Sequence, residues 1–182
     1  TLFPYTTLFR SYATVRADNL DASDTAIVFG AGPIGLGVVA AAAAKGVRVI
    51  VAEPSEARAK IALELGAEDV LDPTSDTFFE EALAATGGLG ANVVFEASGR
   101  PEAMASTLEV AGFQARLVNI GIDVGKSASA KLGLIQSKEL QIRGIIGSPG
   151  VWPETIRFLS RTGLDLSKLV TTSVPLTEAV SA

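Results

Sequence analysis

The sequence predicts an α/β fold, a doubly wound parallel sheet of six strands with helices on both faces, and three observations carry that prediction. Short apolar runs rich in β-branched residues alternate with helical stretches along the chain. Residues 25–54, TAIVFGAGPIGLGVVAAAAAKGVRVIVAEP, read as strand, glycine turn, helix, strand and acid. The length, 182 residues, suits one domain with a full core.

The elements follow in order. Residues 12–20 have helical spacing, with Tyr12, Val15 and Leu20 apolar, and residues 21–24 turn into the first strand, 26–29. Gly30, Gly32 and Gly35 give the spacing G-x-G-x-x-G. A helix then runs from Pro33 through an alanine run to Lys45, with Gly46 as its stop. Residues 47–52 form the second strand and end at Glu53. Pro54, Ser55 and Glu56 start a helix with Ile61, Leu63 and Leu65 as apolar positions and Gly66 as its end. Val70 and Leu71 make a short third strand. Phe78, Phe79 and Leu83 are assigned to one face of the next helix, and residues 86–90 form a loop. The fourth strand, 92–96, leads into Ala97, Ser98 and Gly99. A helix follows over residues 101–111, then strands at 114–120 and 140–146, a last helix at 152–162, and an extended tail.

The glycine turn has a specific chemical reading. Gly30 permits the tight turn, Gly32 leaves room for a pyrophosphate, and Gly35 lets the helix pack close to the strand. The helix N-terminus offers N–H groups and a positive dipole end to phosphate. Glu53 stands eighteen residues after Gly35, near the offset of about 20 for a carboxylate that holds the adenosine ribose hydroxyls. A carboxylate there repels a 2′-phosphate, so NAD is favoured over NADP.

Composition excludes several classes. A net charge of -5 and a pI near 4.8 leave no basic stripe for a nucleic-acid backbone. No cysteine or histidine occurs, which removes thiol chemistry and the two best zinc ligands. The longest apolar stretch is too short to span a bilayer, and with no recognisable signal peptide the expected compartment is the cytoplasm. Hydrophobic residues make up 48% and mean hydropathy is +0.38, which implies a surface that lies against something else. Residues 121–127, GIDVGKS, look like a phosphate loop but place three residues between the glycines where four are required.

Residues 1–11, TLFPYTTLFRS, do not read like the rest and match the translation of a common sequencing adapter. They are set aside as an assembly scar, with residues 12–182 as one cofactor-binding domain.

From Tyr12 onward the chain resembles the cofactor-binding half of the medium-chain dehydrogenase/reductase family. The segments that carry the likeness are GAGPIGLG at 30–37, EPSEARAKIALELGAEDVLDP at 53–73, VVFEASG at 93–99, RLVNIGI at 116–122 and LVTTSVPLTEA at 169–179. GAGPIG with VAEPSEAR is most similar to the zinc-dependent branch of the butanediol and sorbitol type, a family of Rossmann fold. The resemblance implies that Gly30, Gly32, Pro33, Ile34 and Gly35 cradle the pyrophosphate of NAD. It places Glu53 and Arg58 at the adenosine ribose and Ala97, Ser98 and Gly99 along the adenosine side. Backbone at Ile120, Gly121 and Ile122, and at Ile145, Gly147 and Ser148, would face the nicotinamide.

The zinc ligands and most of the substrate pocket of such enzymes lie in a separate domain with no counterpart here. The resemblance therefore implies an alcohol or ketone substrate and zinc for the full-length protein, and NAD(H) binding without turnover for this chain. Two other readings stand beside it: part of a zinc-free quinone or enoyl-type reductase, or a stand-alone NADH-sensing module. Relatives that pair through the sixth-strand edge point to a homo-oligomer, with Leu140, Ile142, Ile145 and Ile146 supplying an apolar edge. The same residues are equally compatible with burial under helices.

Overall fold

A computed structural model describes residues 13–18, 20–121, 123–146, 150–170, 173–175 and 177. Six strands form one parallel sheet: β1 (Thr25–Phe29), β2 (Arg48–Ala52), β3 (Asp69–Leu71), β4 (Ala91–Glu96), β5 (Ala111–Asn119) and β6 (Gln141–Gly144). Their order across the sheet is β3-β2-β1-β4-β5-β6. The chain runs outward from β1 to one edge, then returns to the other side of β1 and runs outward again. The reversal between β1 and β4 is the topological switch point, where the loops at the strand ends part.

Helices cover both faces because alternate strand residues point to opposite sides. Val28, Val49, Val51, Val93, Phe95 and Val118 build one core layer with α1 (Ala13–Arg16), α2 (Pro33–Ala43) and α3 (Glu56–Glu64). Leu159 of α7 (Trp152–Thr162) packs on the same layer. Ile27, Phe29, Ile50, Ala52, Val94 and Leu117 build the other with α4 (Phe78–Ala85), α5 (Pro101–Val110) and α6 (Gly133–Ser137). Strands apolar on both faces are what a parallel sheet under two helical layers requires. Helix α2 is the central one. Its residues from Gly35 to Ala42 are all buried, and the alanine run lets its axis sit close to the sheet.

Several element details depart from the sequence reading. In α4 only Phe78 and Ala82 are buried, while Phe79 and Leu83 are half-exposed. Phe79 is one residue round the helix from Phe78, so the buried partner is the residue at i+4, an alanine. In α3, Ala62 is buried and Leu63 exposed, and Leu65, just past the helix end, is buried, again because 3.6 residues make a turn. In α1, Ala13 is buried while Val15 is half-exposed, and Ala17 just beyond the helix is buried; Tyr12 lies outside the described residues.

Strand β5 starts at Ala111, directly after α5, three residues before the expected start. Its register against β4 jumps from Ala91↔Ala111 to Val93↔Arg116, and Gln114 takes a φ of 57° in the extra stretch. Helix α6 was not foreseen. Strand β6 is shorter than residues 140–146 and lies at the sheet edge, with Leu140 buried and Ile142 and Ile146 exposed. The burial alternative for this edge therefore holds for Leu140 but not for Ile142 or Ile146.

Candidate dinucleotide site

The glycine turn lies at the switch point, at the end of β1. The Gly30 N–H donates to the Ala52 carbonyl at 2.9 Å, so the turn is stitched to β2 as the strand ends. A Cβ on Gly35 would run into the Gly30 carbonyl, which makes glycine obligatory for this helix to start so close to the strand. Gly30 itself has a φ of 91°, and a Cβ there would meet the Ser98 Cβ at 3.0 Å. Gly32 precedes α2 with no side chain capping the helix, and Pro33 occupies its first turn. The first N–H groups of α2 are thus left to whatever anion lies above the turn.

Glu53 sits just past β2 and is 6% exposed. One carboxylate oxygen accepts from the Ala31 N–H at 2.7 Å and the other from the Ser55 N–H at 3.0 Å. The acid therefore bridges the glycine turn and the start of α3. Each oxygen keeps a further lone pair for a ligand hydroxyl. Arg58 is exposed in the first turn of α3. Pro33 is exposed and Ile34 half-buried, packed on the core.

On the other side of β1, the Ala97 N–H donates to the Phe29 carbonyl at 2.9 Å, which sets Ala97, Ser98 and Gly99 beside the glycine turn. Ile120 is buried, and Gly121 packs against Gly99 so closely that a Cβ would overlap the Gly99 N–H. The Ile145 N–H donates to the Asn119 carbonyl at 2.9 Å. Ile122, Gly147 and Ser148 lie outside the described residues. The structure thus gathers the glycine turn, Glu53, Ala97–Gly99, Ile120, Gly121 and Ile145 along the carboxyl ends of the strands.

The phosphate-loop lookalike is open loop over residues 123–130, and Lys126 pairs with Asp123 at 3.0 Å. No helix starts at Lys126 or Ser127, so the sequence lacks the element that gives such a loop its anion site.

Glu96 is the residue that sequence reasoning missed. It was read as the last residue of an apolar strand, yet it is 0% exposed and its carboxylate holds the turn that follows. An acid closing a central apolar strand was the available signal, because a carboxylate goes into a core only with donors to meet it.

The described residues contain no cluster of three carboxylates close enough to hold a metal, and the chain has no cysteine or histidine. A zinc ion does not fit the residues present. A dinucleotide does, given the uncapped helix, the glycine cradle and the carboxylate beyond β2. No helix among the described residues is long and apolar enough to cross a membrane.

This sheet order, with the glycine turn at its switch point, defines a Rossmann-like α/β domain. The chain belongs to the zinc-binding dehydrogenase family, whose model matches residues 33–161. A scyllo-inosose 3-dehydrogenase of Thermotoga maritima is 36% identical over 171 residues, covering 90% of this chain and 43% of the relative. A 2R,3R-butanediol dehydrogenase of Bacillus subtilis superposes with a TM-score of 0.85 at 32% identity, over 98% of this chain and 50% of that one. An Escherichia coli alcohol dehydrogenase with NADH bound superposes with a TM-score of 0.87 at 26% identity, over 98% and 52%. The chain thus spans about half the length of the relatives it matches.

Proposed function

We propose that this chain is the NAD(H)-binding domain of an oxidoreductase that moves hydride between a secondary alcohol or polyol and NAD. The observation that carries the reading is Glu53. It is a buried carboxylate fixed by two backbone N–H groups beside the glycine turn, with lone pairs left for the two adenosine ribose hydroxyls. The family membership and the NADH-bound structural neighbour support the same cofactor.

Gly30, Gly32, Pro33, Ile34 and Gly35 cradle the pyrophosphate, assisted by the open start of α2. Arg58 flanks the adenosine ribose, and Ala97, Ser98 and Gly99 line the adenosine side. Backbone at Ile120, Gly121 and Ile145 faces the nicotinamide, and the family resemblance assigns Ile122, Gly147 and Ser148 to the same contact. Bound NAD supplies the hydride acceptor at its nicotinamide C4. The residues here bind and orient it; none is assigned to the chemical step. With no zinc donors in the chain, polarisation of the alcohol falls to residues outside it, and the chain by itself binds cofactor without oxidising a polyol. In the full protein the exposed β6 edge, with Ile142 outward, is the surface through which two copies pair.

Fluorescence titration of the chain with NADH and NADPH tests this. Saturable NADH binding, tighter than NADPH, is the expected result. Tighter NADPH binding would remove the role given to Glu53, and polyol-dependent NADH production by the chain alone would remove the division of labour.

A further inference from the structure

Glu96 takes no direct part in the dinucleotide site, yet among the described residues it is the one charged side chain with no exposure at all. Its Oε1 accepts the Ser98 N–H at 2.9 Å, the Ser98 hydroxyl at 2.6 Å and the Gly99 N–H at 3.0 Å. Its Oε2 accepts the Gly99 N–H at 3.2 Å. Its main-chain carbonyl accepts two more donors, the Ile120 N–H at 2.8 Å and the Gly121 N–H at 2.9 Å. One residue therefore fixes both loops beyond the switch point, the turn after β4 by its side chain and the end of β5 by its backbone.

The contacts continue to the glycine turn. The Ser98 hydroxyl, held by Glu96, accepts the Arg100 N–H at 3.1 Å, and the Ser98 Cβ lies 3.0 Å from the place a Gly30 Cβ would take. Gly121 has no room for a side chain because the Glu96 carboxylate and Gly99 occupy it. Gly30, Ser98, Glu96 and Gly121 form one packed row across the floor of the crevice. A carboxylate suits this place because it only accepts, and every polar group aimed at it donates.

We propose that Glu96 is a positioning residue for dinucleotide binding. By locking Ser98, Gly99 and Gly121 into one backbone shape, it fixes the surface on which the cofactor rests without touching the cofactor. This rests on the dinucleotide reading above. A purely structural role predicts that loss of Glu96 lowers stability alone; a positioning role predicts lower cofactor affinity in a molecule that stays folded.

The test compares NADH affinity and thermal unfolding for the 182-residue chain, Glu96→Gln, Ser98→Ala and Asp24→Asn. In Glu96→Gln the amide oxygen keeps the Oε1 position with its Ser98 and Gly99 donors, while the amide nitrogen takes the Oε2 position and faces the Gly99 N–H donor to donor; NADH affinity is expected to fall about tenfold, a loss of one buried donor–acceptor match. Ser98→Ala removes one donor and leaves the acid, so a smaller loss in the same direction is expected. Asp24→Asn weakens the partly buried pair with Arg116, at the opposite ends of the strands from the glycine turn, so it lowers Tm while NADH affinity stays as in the parent chain.

Parent-like NADH affinity in folded Glu96→Gln overturns the proposal. Should Glu96→Gln not fold, unchanged affinity in folded Glu96→Asp, whose shorter side chain draws the carboxylate back from the Ser98 and Gly99 donors, overturns it. A parent chain that binds no NADH overturns the dinucleotide reading and the role of Glu96 together, whereas a parent that binds beside a Glu96→Gln that binds equally well overturns this role only.

Discussion

Replacing Glu53 by glutamine keeps the shape of the side chain and removes its charge, which separates two consequences. The carboxylate accepts two backbone N–H groups, from Ala31 and Ser55. Glutamine can satisfy one of them with its carbonyl oxygen, while its amide nitrogen faces the other donor to donor. A buried N–H left unmet costs about 2 kcal/mol. In a domain of this size that lowers Tm by about 6 °C, well short of unfolding it.

The second consequence concerns the ligand. A hydroxyl bonded to a charged acceptor is worth ~1 kcal/mol more than one bonded to a neutral acceptor, which weakens NADH roughly fivefold. The 2′-phosphate of NADPH meets no carboxylate in the variant, so its affinity rises and the preference between the two cofactors narrows from both directions. Parallel fluorescence titrations with NADH and NADPH, and thermal melts followed by circular dichroism, check this. A lowered Tm with both affinities unchanged would refute the reasoning, because Glu53 would then serve the backbone alone.

Other outcomes follow from contacts elsewhere in the domain. Gly35→Ala drives a methyl group into the Gly30 carbonyl; helix α2 must shift, at a cost of about 2 kcal/mol in thermal or urea melts, and NADH binding is lost with the turn geometry. Lys138 donates to the carbonyls of Leu108, Glu109 and Ala111 at 3.1, 2.9 and 2.7 Å and so closes the C-terminal end of α5. Burial pushes its amine below the usual lysine range, with Glu109 opposing that, and Lys138→Met should cost ~1–2 kcal/mol in urea unfolding with NADH affinity intact. The Thr74 hydroxyl and N–H hold the Asp72 carboxyl below the usual carboxylate range. That contribution is complete above the unfolded value of about 4 and is lost as pH falls through the lower folded value. The Tm difference between the parent chain and Asp72→Asn should therefore hold at neutral pH and close below that point; a difference constant into strong acid would contradict it.

The sequence made the central elements legible and left the periphery obscure, for physical reasons. The strands β1, β2 and β4 are buried on both faces, so burial alone dictates unbroken apolar runs, and these were read close to their observed bounds. The roles of Gly30 and Gly35 follow from backbone geometry that only glycine permits, which a spacing pattern can express. The face of α4 was misread because apolar residues occur on both sides of this outer helix, with Phe79 and Leu83 outward. Helix α6 is five residues long with no buried member, too short and too weakly patterned to announce itself. Glu96 was passed over because its carboxylate is met by donors of Ser98 and Gly99, mostly backbone N–H groups, and a sequence does not show which way a chain turns.

The fixed state of Glu53 has an entropic consequence. A free glutamate side chain gives up as much as about 2 kcal/mol of rotamer freedom when it is immobilised. Here that loss is incurred as the chain folds, since Ala31 and Ser55 already hold both oxygens. An arriving ribose meets an acceptor whose orientation is set, so the ordering cost of association falls on the ligand's own torsions and the waters it displaces.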